Sequence, residues 1–255
     1  MSWDSDVSIK NAAEIALMRE AGRVNAEALT AVRELLQPGT TTADLNAAAE
    51  EVLRKHGAYS PFKNYGHPPF PASICVSINE ELVHGIPGKR KLREGDIVSV
   101  DCGTVLEEFV GDSAFTAGVG EISPQAKKLI EVTEQALYVG IAMMRAGNMT
   151  GDISAAIQQF VEAQGYHVVR EYTGHGVGRK MHEGPQVPNY GTPGTGVLLR
   201  TGMTIALEPM VLIGTHRIRV LTNQWTVVSA DGSLTAHQEH SVAVTDGDPL
   251  ILTAP

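Results

Sequence analysis

The chain repeats itself, and the repeat limits its architecture more than any other feature. Setting Gly39 on Gly147, an offset of 108 residues, aligns Thr42 with Thr150, Asp44 with Asp152, Ala47 and Ala48 with Ala155 and Ala156, and Gly57 with Gly165. At the same ungapped offset Leu45 meets Ile153, Val52 meets Phe160 and Leu53 meets Val161. Agreement across caps, small residues and hydrophobics favours an internal duplication over a coincidence of two helix starts. In the first copy, residues 11–36 place Ile15, Leu17, Met18, Val24, Leu29, Val32, Leu35 and Leu36 near helical spacing, and Pro38-Gly39 ends the run. Thr41 and Asp44, three apart, form a capping-box-like pair that opens a helix over 42–56. In the second copy Ser123 caps a helix with Pro124 in its first turn, running to about Arg145 and stopped by Gly147. Thr150 and Asp152 open the last helix, which ends near Gly165.

Strand-like runs follow each helical pair. Ser73–Ile78, Asp96–Cys102 and the alternating Phe115–Val119 follow the first; Val168–Tyr172, Met203–Ile213, Arg217–Val228 and His240–Thr245 follow the second. The order helix, helix, strands, twice over, predicts an α+β fold of two pseudo-twofold-related halves. No long linker separates them, so one domain over 1–255 is expected, with a short lead over 1–10.

Composition narrows the function. Asp plus Glu outnumber Lys plus Arg by 29 to 20, giving a net charge of −9, which speaks against binding nucleic acid or an anionic membrane. Only Cys75 and Cys102 occur, with no CxxC pair, so neither a disulfide scaffold nor a thiolate zinc cluster is expected. The start, MSWDSDVSIK, has no apolar targeting segment, and no run of roughly 18 apolar residues appears. A soluble, cytoplasmic protein is expected.

Five residues with charged or ligating side chains lie in or beside apolar runs: Asp101 (VDCG), Asp112 (FVGDSAF), His175 (TGHGVG), Glu208 (ALEPM) and Glu239 (AHQEHS). A buried carboxylate is costly unless something positive meets it. A two-metal hydrolase needs several carboxylates and usually a histidine aimed at one point, with ions ~3.5–4 Å apart that share a hydroxide. Buried arginines such as Arg217 or Arg219 are the alternative counter-charge, and for any one carboxylate alone an ion pair would suffice.

At these residues the sequence resembles the type I methionine aminopeptidases, of the pita-bread fold. The resemblance runs from about Ile9 to Thr245 through NEELVHGIPG (79–88), VSVDCGT (98–104), GDSAFT (111–116), TGHGVGRKMHEGPQVPNY (173–190), MTIALEP (203–209) and WTVV…HQEHSVAVT (225–245). The 31 residues from Glu208 to Glu239 are too few for the helical insertion of the type II enzymes. The resemblance implies a central antiparallel sheet covered by helices, and five metal ligands: Asp112 and Glu239 bridging two ions, Asp101 on one, His175 and Glu208 on the other. Glu208 would also relay the proton from the bridging hydroxide to the leaving amine. His84 (LVHGIPG) matches the histidine that contacts the scissile amide, and His182 (KMHEGP) the one that hydrogen-bonds the substrate carbonyl. Tyr65, Phe70, Cys75 and Trp225 match the pocket for the methionine side chain, with Phe62 and Met181 beside them.

The implied activity is removal of the initiator methionine from nascent polypeptide N-termini, favouring a small second residue. The implied partners are those N-termini and, transiently, the ribosome; a monomer is expected. The metal is two divalent ions from among Co, Mn, Fe and Zn, which this fairly hard donor set does not separate. The sequence departs from the family's usual pattern in a longer, proline-rich loop NYGHPPFPAS (64–73) and in Gln238, which replaces a frequent aromatic before Glu239. An aminopeptidase P or prolidase shares the ligand set but usually carries a large N-terminal domain, and NEELVHGIPG is not its signature. A non-catalytic binding module typically loses ligands, whereas all five are present here.

Overall fold

The computed structural model describes residues 7–255; residues 1–6 of the expected lead lie outside the described residues. The first two helices are α1 (Ala12–Arg33) and α2 (Thr42–Lys55), and each starts where its capping chemistry dictates. Asn11 accepts the Glu14 N–H through its side chain at 3.0 Å, and the Glu14 carboxylate accepts the Asn11 N–H. Thr41 and Asp44 make the same reciprocal pair at the start of α2. These bonds satisfy helix-end donors that otherwise have no partner.

The first half continues with strands β1 (Ile74–Ile78), β2 (Glu81–Val83), β3 (Ile97–Leu106) and β4 (Phe109–Gly118). Helices α3 (Pro124–Ala142) and α4 (Thr150–Ala163) open the second half. Strands β5 (His167–Val168), β6 (Thr173–Gly176), β7 (Glu183–Pro188), β8 (Thr204–Leu207), β9 (Met210–Leu212), β10 (Ile218–Val220), β11 (Val227–Ser229), β12 (Thr235–His237), β13 (Glu239–Ala243) and β14 (Leu250–Ile251) complete it. The main sheet is antiparallel in the order β1-β3-β4-β13-β8-β6-β7, with β14 on β13. Two small sheets, β10-β11-β2 and β12-β9-β5, flank it.

The duplication is visible bond for bond. Gly39 N–H donates to Leu92 O at 2.9 Å and Gly147 N–H to Leu199 O at 3.0 Å; Thr42 N–H reaches Arg90 O and Thr150 N–H reaches Val197 O, both at 2.9 Å. Leu92 N–H returns to Thr40 O and Leu199 N–H to Asn148 O, both at 2.8 Å. Gly39 and Gly147 hold φ of 95° and 96°, a left-handed backbone that favours glycine. The two pseudo-twofold halves expected of the pita-bread fold are therefore present.

Helices cover one face of the sheet, and the other, polar at its middle, carries the acids. Val98, Val100 and Cys102 of β3 and Phe115 of β4 pack with Val24, Leu29, Leu45 and Leu53 of α1 and α2. Ile205 and Leu207 of β8 and Val242 of β13 pack with Leu129, Leu137, Ile153 and Ile157 of α3 and α4. Because strand side chains alternate, the residues between these point to the opposite face. Asn25 of α1 fastens the layers: its Nδ2 donates to the carbonyls of Cys102 and Gly111, and its Oδ1 accepts from Ser113 Oγ. Asn25 is fully buried, so losing any partner would cost about 1–3 kcal/mol.

Several expected bounds shift. The first helix ends at Arg33, not 36, because Glu34 to Leu36 tighten into turns before Gly39; the third ends at Ala142, not Arg145. Strand β4 begins at Phe109, six residues before the expected Phe115, and β3 extends to Leu106. The expected Met203–Ile213 strand is two, broken at Glu208-Pro209, since proline has no N–H for the ladder. Arg217–Val228 is likewise two strands around a turn, and Val168–Tyr172 shrinks to the short β5.

Candidate metal centre

Strand register builds the centre. In β3–β4–β13, Ala114 lies between Asp101 on one side and Glu239 on the other. Asp112 is two residues before Ala114, hence on the same face. In β6–β8–β13, Ala206 lies between His175 and Ser241, and Glu208 follows two residues after Ala206. Five ligating side chains thus surround two alanines, small residues that leave room at the middle of the sheet.

All five, together with His84, His182, Tyr65, Phe70, Cys75 and Trp225, line one cavity of about 300 Å³. Phe62 and Met181 line it too. Sequence reasoning missed Glu171, Tyr172, Thr173 and Gln186 on its wall. Tyr172 directly precedes the TGHGVG run, which was the available signal, and its ring packs edge-on to His84 at 5.4 Å. It missed His237 as well. This histidine lies two residues before Glu239, and the strand alternation that puts both on one face was legible.

Among the described residues no lysine or arginine meets these acids. Arg217 and Arg219, the alternative counter-charges, are exposed on the strand β10 region, and among the described residues no Lys or Arg lines the cavity. Burial, and then Asp112, push the Asp101 carboxyl well above its usual range. Burial pushes Asp112 to about 7. Glu208 and Glu239 are pushed well up by burial first and by the neighbouring carboxylates second. Asp101 Oδ1 and Asp112 Oδ1 are buried without a hydrogen-bond partner among the described residues. Four acids crowded together, short of donors, fit a site for divalent cations.

The imidazoles suit the same purpose. His175 Nδ1 lies 3.0 Å from the Gly176 carbonyl, which fixes the proton there and leaves Nε2, 3.4 Å from Glu208 Oε1, as a lone pair. Burial, with His182 second, holds His175 near pKa 3, so it is neutral. Candidate ligand atoms of Asp112, His175 and Glu239 lie within 4.8 Å of one another, and so do those of Asp101, His237 and Glu239.

The walls are held from outside. His84 sits at φ 59°, a left-handed conformation rare for a residue with a side chain. The next residue must be glycine, because a Cβ on Gly85 would come within 2.1 Å of the Val76 carbonyl oxygen. The Lys10 ammonium binds Glu183 Oε2 at 2.6 Å, and Glu183 Oε1 accepts the Lys180 N–H, which ties the turn carrying His182 to the N-terminal lead. Tyr65 Oη lies 3.0 Å from His182 Nδ1. At the apolar end Phe62, Phe70 and Cys75 form a buried cluster with Met181 and Trp225. Trp225 Nε1 donates to the Pro68 carbonyl at 3.0 Å, and its ring meets Phe70 edge-on at 5.2 Å, anchoring the 64–73 loop. The Cys75 thiol is pushed well up by burial and by Asp101, so it is a wall and not a nucleophile.

A duplicated α+β fold with an acid-lined cavity on its polar face, suited to divalent cations, fits the class of metal-dependent hydrolases. A sequence profile of metallopeptidase family M24 matches residues 16–246, and the chain belongs to that family. It is 52% identical over 248 residues to a methionine aminopeptidase of Clostridium acetobutylicum, covering 97% of this chain and 98% of that one. The crystal structure of methionine aminopeptidase from Thermotoga maritima superposes with a TM-score of 0.95 at 46% identity, covering 98% of this chain and 100% of that one. An Xaa-Pro dipeptidase from Bacillus anthracis matches with a TM-score of 0.79 at 21% identity over 99% of this chain and 64% of that one, a likeness of fold alone.

Proposed function

We propose that the chain is a methionine aminopeptidase, working as a single catalytic domain over 1–255 that removes the N-terminal methionine of new polypeptides. The observation that carries this reading is the division of one cavity: carboxylates and His175 at one end, the Phe62, Phe70, Cys75, Met181 and Trp225 cluster at the other, His84 and His182 on the wall. Such a cavity accepts one apolar side chain and one chain end, as an exopeptidase requires. Soft contacts between a thioether and aromatic rings suit methionine.

Asp112 and Glu239 would be shared between two cations, with Asp101 on one and His175 and Glu208 on the other. Bound there, divalent Co, Mn, Fe or Zn would polarise the scissile carbonyl and acidify a water. Glu208 would accept a water proton on its carboxylate and return it to the departing amine. Tyr65 Oη lies 3.0 Å from His182 Nδ1, and with that nitrogen accepting, His182 would carry its proton on Nε2 and offer it to the carbonyl oxygen as charge develops. His84, neutral because burial holds its pKa near 4, orients the scissile amide from the opposite wall.

On this reading the enzyme acts as a cytoplasmic monomer on emerging N-termini, meeting the ribosome transiently. The strong negative charge argues against nucleic acid as a partner, and among the described residues no helix is long and apolar enough to cross a membrane. Cleavage of Met-Ala-Ser compared with an Xaa-Pro peptide tests the proposal. Release of methionine from the first alone supports it; preference for the second moves the chain to the prolidase kind.

A further inference from the structure

His237 is 2% exposed, and its Nε2 is buried without a hydrogen-bond partner among the described residues. A buried imidazole nitrogen left unmatched costs about as much as a lost hydrogen bond, so something else must meet it. The nearest ionisable group is the Glu239 carboxylate at 3.6 Å, beyond hydrogen-bonding range. The atom faces the same acids that lack donors: candidate ligand atoms of Asp101, His237 and Glu239 all lie within 4.8 Å of one another.

The placement is built into the strand. His237 ends β12 and Glu239 begins β13, so alternation turns both to the polar face. The backbone of His237 is clamped on both sides by one hydroxyl: its N–H donates to Thr116 Oγ1 at 2.9 Å, and Thr116 Oγ1 donates to its carbonyl at 2.7 Å. Ser99 Oγ, 2.8 Å from Thr116 Oγ1, fastens that hydroxyl to the strand that carries Asp101. The ring is thus held in register with the carboxylates on either side.

We propose that His237 is an additional metal ligand of this chain, with Nε2 joining Asp101 and Glu239 on the cation at the Asp101 end of the cavity. Each end of the centre then has one imidazole, His175 beside Glu208 and His237 beside Asp101. The added nitrogen makes the Asp101 end softer and shifts its preference from Mn towards Fe(II), Co and Zn. This inference rests on the metallopeptidase reading above and adds a ligand to it.

The test uses Co2+ alone as the probe. In protein loaded with two equivalents of Co2+, each coordinated imidazole gives one strongly shifted, solvent-exchangeable N–H proton resonance. Two such resonances are expected, one of which disappears in His237→Leu. In titration calorimetry the same variant should weaken one Co2+ step by more than about 10-fold, beyond the loss of a group that only orients a ligand, and leave the other unchanged. A single exchangeable resonance in the unmodified protein, or two that both survive His237→Leu, overturns the proposal and leaves the five-ligand reading standing. The wild-type resonance count decides the matter by itself should the variant not fold. Protein that takes up no Co2+ overturns the metal reading, and this inference with it.

Discussion

The most demanding prediction concerns the metal-free protein. Burial raises Asp112 from an ordinary 3.8 to about 7, so the folded state holds a proton that the unfolded chain gives up. Below pH 3.8 both states are protonated and nothing is lost. As pH rises towards 7 the folded state binds more protons than the unfolded one, so stability falls with pH and levels off above the folded pKa. At about 1.4 kcal/mol per pH unit the loss reaches roughly 4 kcal/mol. Asp112→Asn keeps the shape, cannot ionise, and finds carboxylate acceptors for its amide in the surrounding cluster. In EDTA at pH 8 the variant should melt above wild type by on the order of 10 °C, taking ~2–4 °C per kcal/mol for a chain of this size. At pH 4.5 the advantage should shrink to roughly 1 kcal/mol. A divalent cation at 100 times its dissociation constant restores about 2.7 kcal/mol to wild type and less to the variant. Calorimetric melting across pH 4.5–8, with and without EDTA, measures all of this. A variant that melts at or below wild type in EDTA at pH 8, or a gap that does not change with pH, refutes the reasoning.

Three further outcomes follow from the site. Asp101→Ala or Glu239→Ala should abolish peptide cleavage and metal uptake at one or both positions with little loss of fold, by elemental analysis and circular dichroism; wild-type activity in either contradicts the assignment. His182→Ala should slow kcat by about 10²–10³-fold, the range for losing one donor to a developing oxyanion, with metal content unchanged. Gly85→Ala forces a Cβ against the Val76 carbonyl, and should cost about 1–3 kcal/mol in melting experiments and reduce kcat through displacement of His84.

Much of this was legible in the sequence, for local reasons. Thr41 with Asp44 and Ser123 with Pro124 announce their helix starts because capping needs only neighbours. Asp101, Asp112, His175, Glu208 and Glu239 stand out as charge in apolar runs, and register brings them to one face. The β6–β7 hairpin was hidden because TGHGVGRKMHEGPQVP has glycines and prolines where alternation would be read; β6 is identified by pairing with β8, and β7 by pairing with β6. The early part of β4 was hidden for a related reason: Gly111 carries no side chain, since a Cβ there would strike Gly22 of α1. The break at Glu208-Pro209 was read through because apolar residues flank it on both sides, Met203–Leu207 and Met210–Ile213. His237 was passed over because its meaning depends on an orphaned nitrogen, which only three-dimensional packing reveals.

On the proposed reading Asp101, Asp112, His175, Glu208 and Glu239 converge to hold a pair of cations. Anomalous diffraction from crystals grown with Mn2+, recorded on both sides of the manganese edge, reads it out directly. Two peaks are expected, ~3.5–4 Å apart, with Asp112 and Glu239 between them, Asp101 at one end and His175 with Glu208 at the other. A single peak at saturating Mn2+, or peaks away from this cavity, would contradict the account.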